Sequence, residues 1–348
     1  MDIKEFDFEL PEELIAHTPV EKRDECRLLV LRRKERTFEE RIFKEVIEYL
    51  VPGDVLVLNN SRVVKSRIFP ILERSGKHFE MLITGFISDR EFVALVKNLR
   101  RLRVGDVLRL DRYEFRFVKL EKGMGVFETN IPFSYKDLDL IGEIPLPPYI
   151  EKKRERLMMP RVMDIDEIFY QTVYSSVAGS IASPTAGLHF TEELLKKIEE
   201  KGVLIRYITL HVGLGTFEPV RTEKVEDFKL KGEYMEVSKE VINDILLSKQ
   251  RGNKVIAVGT TVVRALETVF RDVEKNIEGF SGMTDIFIYP GFEFKVVDAM
   301  ITNFHLPKSS LILLVSAFAG KDLIMDAYRY AIDRKFRFYS YGDAMFII

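Results

Sequence analysis

The sequence has almost no cysteine, no tryptophan, no excess of either charge and no long apolar run. Cys26 is the single cysteine among 348 residues, so an intramolecular disulfide and any multi-cysteine zinc site are excluded, and a reducing compartment fits. Lys+Arg number 53 against 55 Asp+Glu, a net charge of -2. That removes the strongly basic signature of a nucleic-acid-binding chain while leaving room for local basic patches. The longest late apolar run, residues 311–319, is about half of the roughly 20 residues a membrane span requires. The first ten residues alternate acidic and aromatic side chains with no basic segment ahead of an apolar one, so no signal peptide is visible and the expected compartment is the cytoplasm. What is present is 46% hydrophobic residues, enough for a packed core, and 31% charged residues, above the ~25% of ordinary soluble domains and leaning toward a heat-adapted composition. The length suits about two domains.

Periodicity divides the chain. Near the start, a short helix opens at Pro11, residues 26–32 read as an apolar strand, a helical stripe covers 43–50, and residues 54–59 form a buried strand. From about 65 to 130 the texture changes to runs with a period near two, at 67–72, 78–86, 91–96, 106–110, 114–120 and 126–129, separated by Gly and Ser-Asp turns. Close-spaced strands without a helical pattern predict a small antiparallel barrel or sandwich, and Pro145-Leu146-Pro147-Pro148 marks the exit. Helices then follow from the caps Thr191 and Ser238, over 262–270 and from Ser309, with strands at 203–212 and 254–258, and 285–289, 294–297 and 323–333 stand out as further segments. The expected architecture is an α/β domain with a layered, mixed sheet, residues 1–62 and 150–348, interrupted by a small antiparallel β-barrel domain, residues 63–149.

Four segments concentrate side chains suited to chemistry. Ser183-Pro184-Thr185-Ala186-Gly187-Leu188-His189-Phe190 stands before a helix start, where small residues let backbone N–H groups approach a ligand oxygen and the dipole favours an anion. The competing reading is an ordinary turn with His189 hydrogen-bonded in the core. His211-Val212-Gly213-Leu214-Gly215-Thr216-Phe217-Glu218-Pro219 follows a strand directly. It lacks the third Gly and the helix of a dinucleotide turn, so its Gly pair signals either close approach of a ligand or a plain loop. Gly259-Thr260-Thr261 leads a buried strand into a helix carrying Arg264. Ligands in open α/β sheets sit at the carboxyl ends of strands, which nominates Thr260, Thr261 and Arg264, with N-capping as the other role for Thr261. The fourth segment packs Asp298, Asn303, His305 and Lys308 into one loop. Since His189, His211 and His305 lack the spacing of a helix-borne zinc site, acid–base work suits them better than a metal. Basic runs at 97–103 and 152–161 include Arg100, Arg101, Arg103, Lys152, Lys153 and Arg154, placed either to neutralise RNA phosphates or simply to face solvent.

Phe6-Asp7-Phe8-Glu9-Leu10-Pro11, residues 19–27, 53–62, 142–149, the Pro-Thr-Ala-Gly-Leu-His-Phe-Thr segment, 211–220, 259–264, 298–308 and 339–345 appear in order. With them the chain closely resembles the S-adenosylmethionine:tRNA ribosyltransferase-isomerases of queuosine biosynthesis over essentially its whole length. Ile181-Ala182-Ser183 departs from the expected Val-Ala-Ala. The resemblance implies an α/β domain with an inserted β-barrel. It also implies that the ribosyl part of S-adenosylmethionine moves onto 7-aminomethyl-7-deazaguanine at the tRNA wobble position and rearranges to the epoxycyclopentane of epoxyqueuosine, releasing adenine and methionine. S-adenosylmethionine is then a co-substrate, no metal or other cofactor is expected, tRNA is the partner, and a monomer suffices. A proton beside the sulfonium must be removed, so His189 or His211 is expected as the base, with His305 or Asp298 assisting a second transfer. Thr185, Gly187, Phe190, Gly213, Gly215 and Thr216 are expected around the co-substrate, as are Phe217, Glu218, Thr260, Thr261, Arg264 and Asn303. Phe190 or Phe217 would face the sulfonium, and Lys308 would join the basic runs at the RNA. An S-adenosylmethionine-dependent RNA methyltransferase and a non-catalytic RNA-binding protein are the alternatives.

Overall fold

The computed structural model describes residues 1–213 and 219–348. Strands β1 (Arg27–Arg32), β2 (Thr37–Ile42), β3 (Val55–Asn59) and β4 (Ser61–Val63) come first. They are followed by the short strands β5 (Arg67–Ile68), β6 (Ile71–Leu72), β7 (Lys77–His78), β8 (Met81–Ser88), β9 (Glu91–Val96), β10 (Val107–Leu110), β11 (Tyr113–Glu121) and β12 (Met124–Thr129). Helices α1 (Tyr135–Ile141), α2 (Pro148–Arg156) and α3 (Asp164–Phe169) lead to β13 (Val177–Ser180), α4 (Glu192–Glu200), β14 (Leu204–Leu210), β15 (Glu233–Ser238) and α5 (Lys239–Gln250). The chain ends with β16 (Val255–Val258), α6 (Thr260–Phe270), α7 (Val273–Asn276), β17 (Gly279–Thr284), β18 (Ala299–Asn303), α8 (Ser310–Ala319), α9 (Lys321–Asp333) and β19 (Ala344–Ile347).

The large sheet runs β17-β15-β14-β3-β16-β18-β19-β1-β2. Its centre, β14-β3-β16-β18, is parallel, and antiparallel strands flank it, so the sheet is mixed. Side chains on a strand alternate between faces. In β3, Val55 and Val57 enter the layer beneath α5, α6, α8 and α9, whereas Leu56 and Leu58 enter the layer shared with α4 and the 3-10 helix Phe43–Tyr49. Burial on both faces is why β3 and β16 read as unbroken apolar runs. Thr191 and Ser238 cap α4 and α5 as the sequence predicts, and Ser309 caps α8, each side chain accepting from a first-turn N–H.

The second sheet, β5-β8-β9-β12-β11-β10-β6-β7, is antiparallel. It curls strongly, since β5 at one end and β6 near the other are one stretch of chain broken only by Phe69-Pro70, where Pro70 has no N–H to continue a ladder. Its interior is aromatic, with Phe92, Phe115, Phe127 and Phe133 packed together.

Some segments take a form that the sequence left open or did not show. Residues 285–289 and 294–297 form no strand. The Glu267 carboxylate accepts from the N–H groups of Lys295, Val296 and Val297 (2.7, 3.2 and 3.1 Å), taking the donors a ladder would use. Strand β17 was not anticipated, because Gly279, Ser281 and Gly282 depress its β propensity. Residues 43–49 are 3-10 rather than α-helical. No described helix is long and apolar enough to cross a membrane.

Candidate active site

The four parallel strands point the same way, so the segments leaving their carboxyl ends meet at one edge of the sheet. Across that edge lies the 3-10 helix Thr185–His189. Gly259, at φ +93, turns β16 abruptly into α6, a conformation that favours glycine. Ser183, Thr185, Thr260, Thr261, Thr302, Asn303 and His305 enclose a cavity of about 30 Å³ at this edge, room for one or two water-sized groups. Within it Ser183 Oγ, Thr261 Oγ1 and Asn303 Oδ1 are buried without a hydrogen-bond partner, and His211 Nδ1 and Arg264 Nη2 are likewise buried and unpaired. Buried polar atoms are nearly always paired, so the three in this cavity leave hydrogen-bonding capacity unused at the strand edge.

The histidines differ in what they have left to offer. His189 has both ring nitrogens engaged, Nδ1 at 3.1 Å from Cys26 Sγ and Nε2 at 3.1 Å from Asn303 Nδ2, which disfavours it as the base. His305 lines the cavity. Its Nε2 lies 2.8 Å from Thr302 Oγ1, whose hydroxyl in turn donates to Asn303 O (3.3 Å), so Nε2 donates and the proton-free Nδ1 has no partner among the described residues. His211 rests on the ring of Tyr234, and its ring also lies against Gly179, where a Cβ would come within 2.8 Å. Burial pushes His189 and His305 down to about 3 and lowers His211, so all three rings are neutral at pH 7. An unfolded histidine ionises near 6.5, so below that pH the unfolded chain binds protons that the folded one refuses. Stability therefore falls as pH drops from about 6.5 toward 3, by on the order of 1 kcal/mol per pH unit for each of His189 and His305. Urea midpoints at pH 7 and pH 5 check this, and equal midpoints would refute it.

The other expected site residues divide. Thr185, Thr260, Thr261 and Asn303 line the cavity. Gly187 is needed by the fold, because a Cβ there would lie 2.0 Å from Tyr174 Oη. Phe190 is fully buried, edge-on against Phe43, and does not line the cavity. The Gly213 N–H donates to Glu233 Oε1 (2.8 Å), and Arg264 pairs with Glu233 Oε2. Gly215, Thr216, Phe217 and Glu218 lie outside the described residues. Asp298 is a correction. It precedes β18, at the opposite end of that strand from Asn303, where its carboxylate accepts from Lys249 Nζ (2.7 Å) and Val255 N (2.9 Å). Among the basic residues, Arg100, Arg101, Arg103 and Lys152 are exposed. Lys153 is instead spent on the carbonyls of Glu12, Glu13 and Ile15. Arg154 is buried against Asp166, and Lys308 pairs with Asp7. No three His, Cys, Asp or Glu among the described residues are arranged to hold a metal ion.

Sequence reasoning missed Ser183 and Thr302 as individual residues, and also Arg23, Ser340 and Tyr341, which line a small recess on the far side of His189. Blocks 19–27 and 339–345 stood out as segments, but nothing in them singled out a side chain.

A family model described as "Queuosine biosynthesis protein" matches residues 3–347. A protein of Halothermothrix orenii named S-adenosylmethionine:tRNA ribosyltransferase-isomerase is 50% identical over 354 residues, covering 100% of both chains. One of the same name from Thermotoga petrophila is 48% identical over 352 residues, again covering both chains fully. A crystal structure of S-adenosylmethionine tRNA ribosyltransferase from Thermotoga maritima is 39% identical with a TM-score of 0.56, covering 99% of this chain and 100% of that one. A whole-length match of this kind, joined to a polar edge at the carboxyl ends of β14, β3, β16 and β18, places the chain in the queuosine biosynthesis protein family.

Proposed function

We propose that this chain is an S-adenosylmethionine:tRNA ribosyltransferase-isomerase, moving the ribosyl moiety of S-adenosylmethionine onto 7-aminomethyl-7-deazaguanine in tRNA and isomerising it, with adenine and methionine released. The observation that carries the site is the set of buried, unpaired polar atoms of Ser183, Thr261 and Asn303 beside a neutral His305. His305 Nδ1 takes the proton beside the sulfonium: burial keeps the ring uncharged, and the Thr302 hydroxyl keeps the lone pair on Nδ1. No resident cofactor is required, and residues 63–149 act as an inserted barrel domain of a cytoplasmic monomer. Incubating the protein with S-adenosylmethionine and an anticodon stem-loop carrying the aminomethyl base tests the reading. Adenine, methionine and the matching RNA mass gain are expected, whereas S-adenosylhomocysteine would mean methyl transfer and RNA binding without turnover would mean a recognition protein.

The RNA lies along the groove between the curled sheet and α2. A cavity of about 930 Å³ there has Lys97, Lys152 and Arg161 in its lining, bringing the two basic runs together, with Glu80, Glu151 and Glu155 beside them and Glu80 paired to Lys97 and Arg161. Neutralising Lys97 and Lys152 in the groove, together with the exposed Arg100, Arg101 and Arg103 of the same run as Lys97, flattens the dependence of log Kd on log salt by about 0.7 for each single-strand phosphate that the protein no longer neutralises. Filter binding over a salt series measures it, and an unchanged slope would move the RNA elsewhere.

A further inference from the structure

Asn303 is the side chain whose hydrogen bonds are most unequally used. It is buried at the end of β18, and its amide nitrogen serves two acceptors, Tyr339 O at 3.0 Å and His189 Nε2 at 3.1 Å. The carbonyl oxygen of Tyr339 accepts only, so the amide cannot be turned over without setting two oxygens against each other. Both donors are thus consumed and Oδ1 is left as an acceptor with no partner. The backbone is held to that end: Tyr339 sits at φ 74, a conformation costly for a bulky residue and typical of functional sites. His189 completes the clamp. Since its Nε2 accepts from Asn303, its proton is on Nδ1, directed at Cys26 Sγ (3.1 Å).

We propose that Asn303 Oδ1 is an acceptor reserved for a ribose hydroxyl of the co-substrate, and that His189 is the residue that positions it. This rests on the function proposed above. The cavity in front of Asn303 also presents Ser183 Oγ and Thr261 Oγ1, both unpaired, and a sugar hydroxyl, which donates and accepts, suits that set. About 30 Å³ is too little for a purine, and no carboxylate lines the cavity to favour an ammonium group.

The test is the binding of S-adenosylmethionine and its 2′-deoxy and 3′-deoxy analogues to the full chain by calorimetry, in the absence of RNA. For the wild type, one of the two deletions weakens Kd by about 10- to 100-fold, the effect of leaving a buried acceptor unpaired. In Asn303→Ala that ratio falls to near one, because S-adenosylmethionine itself can no longer make the bond. His189→Phe, which leaves Tyr339 O as the one acceptor holding the amide and so loosens its orientation, lowers the ratio partway. Where the alanine variant does not fold, Asn303→Ser is used, with the same collapse expected. An unchanged ratio in a folded Asn303 variant, or no discrimination by the wild type, overturns the inference. Failure of the folded wild type to bind S-adenosylmethionine at all would overturn the proposed function instead.

Discussion

His305→Ala is expected to lower the single-turnover rate of ribosyl transfer by about 10²- to 10⁴-fold, the usual contribution of a positioned general base, with little change in the affinity for S-adenosylmethionine. The residue is fixed at backbone and ring: the backbone N–H of His305 donates to Tyr328 Oη (2.8 Å), and the ring Nε2 is occupied by Thr302. Tyr328 is in turn packed edge-on against Phe8 and Phe304. The side chain therefore arrives with its lone pair already oriented. Because burial depresses its ionisation to about 3, the basic form is complete from pH 5 to 8, and this residue contributes no acid limb to the rate in that window. Protonation would remove activity only as pH falls toward 3. Rapid-quench measurement of adenine release with saturating co-substrate separates chemistry from binding. A loss below about tenfold would shift the proton transfer to His211, whose Nδ1 is also unpaired.

How legible this was from sequence follows from what each feature depends on. Helix starts were readable because Thr191, Ser238 and Ser309 act on N–H groups three residues away, a wholly local cause. The inner strands were readable because burial on both faces leaves an unbroken apolar run in β3 and β16. The form of segments 285–289 and 294–297 was left open by the sequence, since what keeps 295–297 from pairing is a carboxylate from a distant helix, Glu267. The same division applies to the site. That Thr260, Thr261, Asn303 and His305 belong together follows from strand ends converging, which a strand–turn–helix pattern already suggests. That Asp298 does not belong depends on which end of β18 it occupies, and this is fixed only once the strand's direction in the sheet is known. The basic run 152–161 shows the limit most clearly. Lys152, Lys153 and Arg154 are indistinguishable as a run of charge, yet the first is exposed, the second ties down three carbonyls and the third is wholly buried.

Asp166→Ala is expected to destabilise the fold by about 3–5 kcal/mol, because it strands the Arg154 guanidinium in the interior without its counter-charge. The pair is bidentate, with Nη1 and Nη2 at 2.5 and 2.8 Å from the two carboxylate oxygens, and neither side chain has any exposure. Its remaining bonds reach into separate parts of the chain. Arg154 donates to the carbonyls of His17 (2.9 Å) and Arg161 (3.1 Å), while Asp166 accepts from Met163 N (2.7 Å) and Tyr341 Oη (2.8 Å). One ion pair thus ties α2 and α3 to the N-terminal segment and to the loop that carries Ser340 and Tyr341 beside His189. Desolvating two charges offsets most of their attraction, so the pair itself adds little net stability, and Arg154→Met combined with Asp166→Leu should recover most of what either single change loses. Urea denaturation of the two single variants and the double variant measures this. Should the double variant stay as unstable as the singles, the bonds to His17, Arg161 and Tyr341 would be what matters, not the charge. The recovered double variant should nevertheless turn over more slowly, because Tyr341 has lost its acceptor and the wall behind His189 is no longer held.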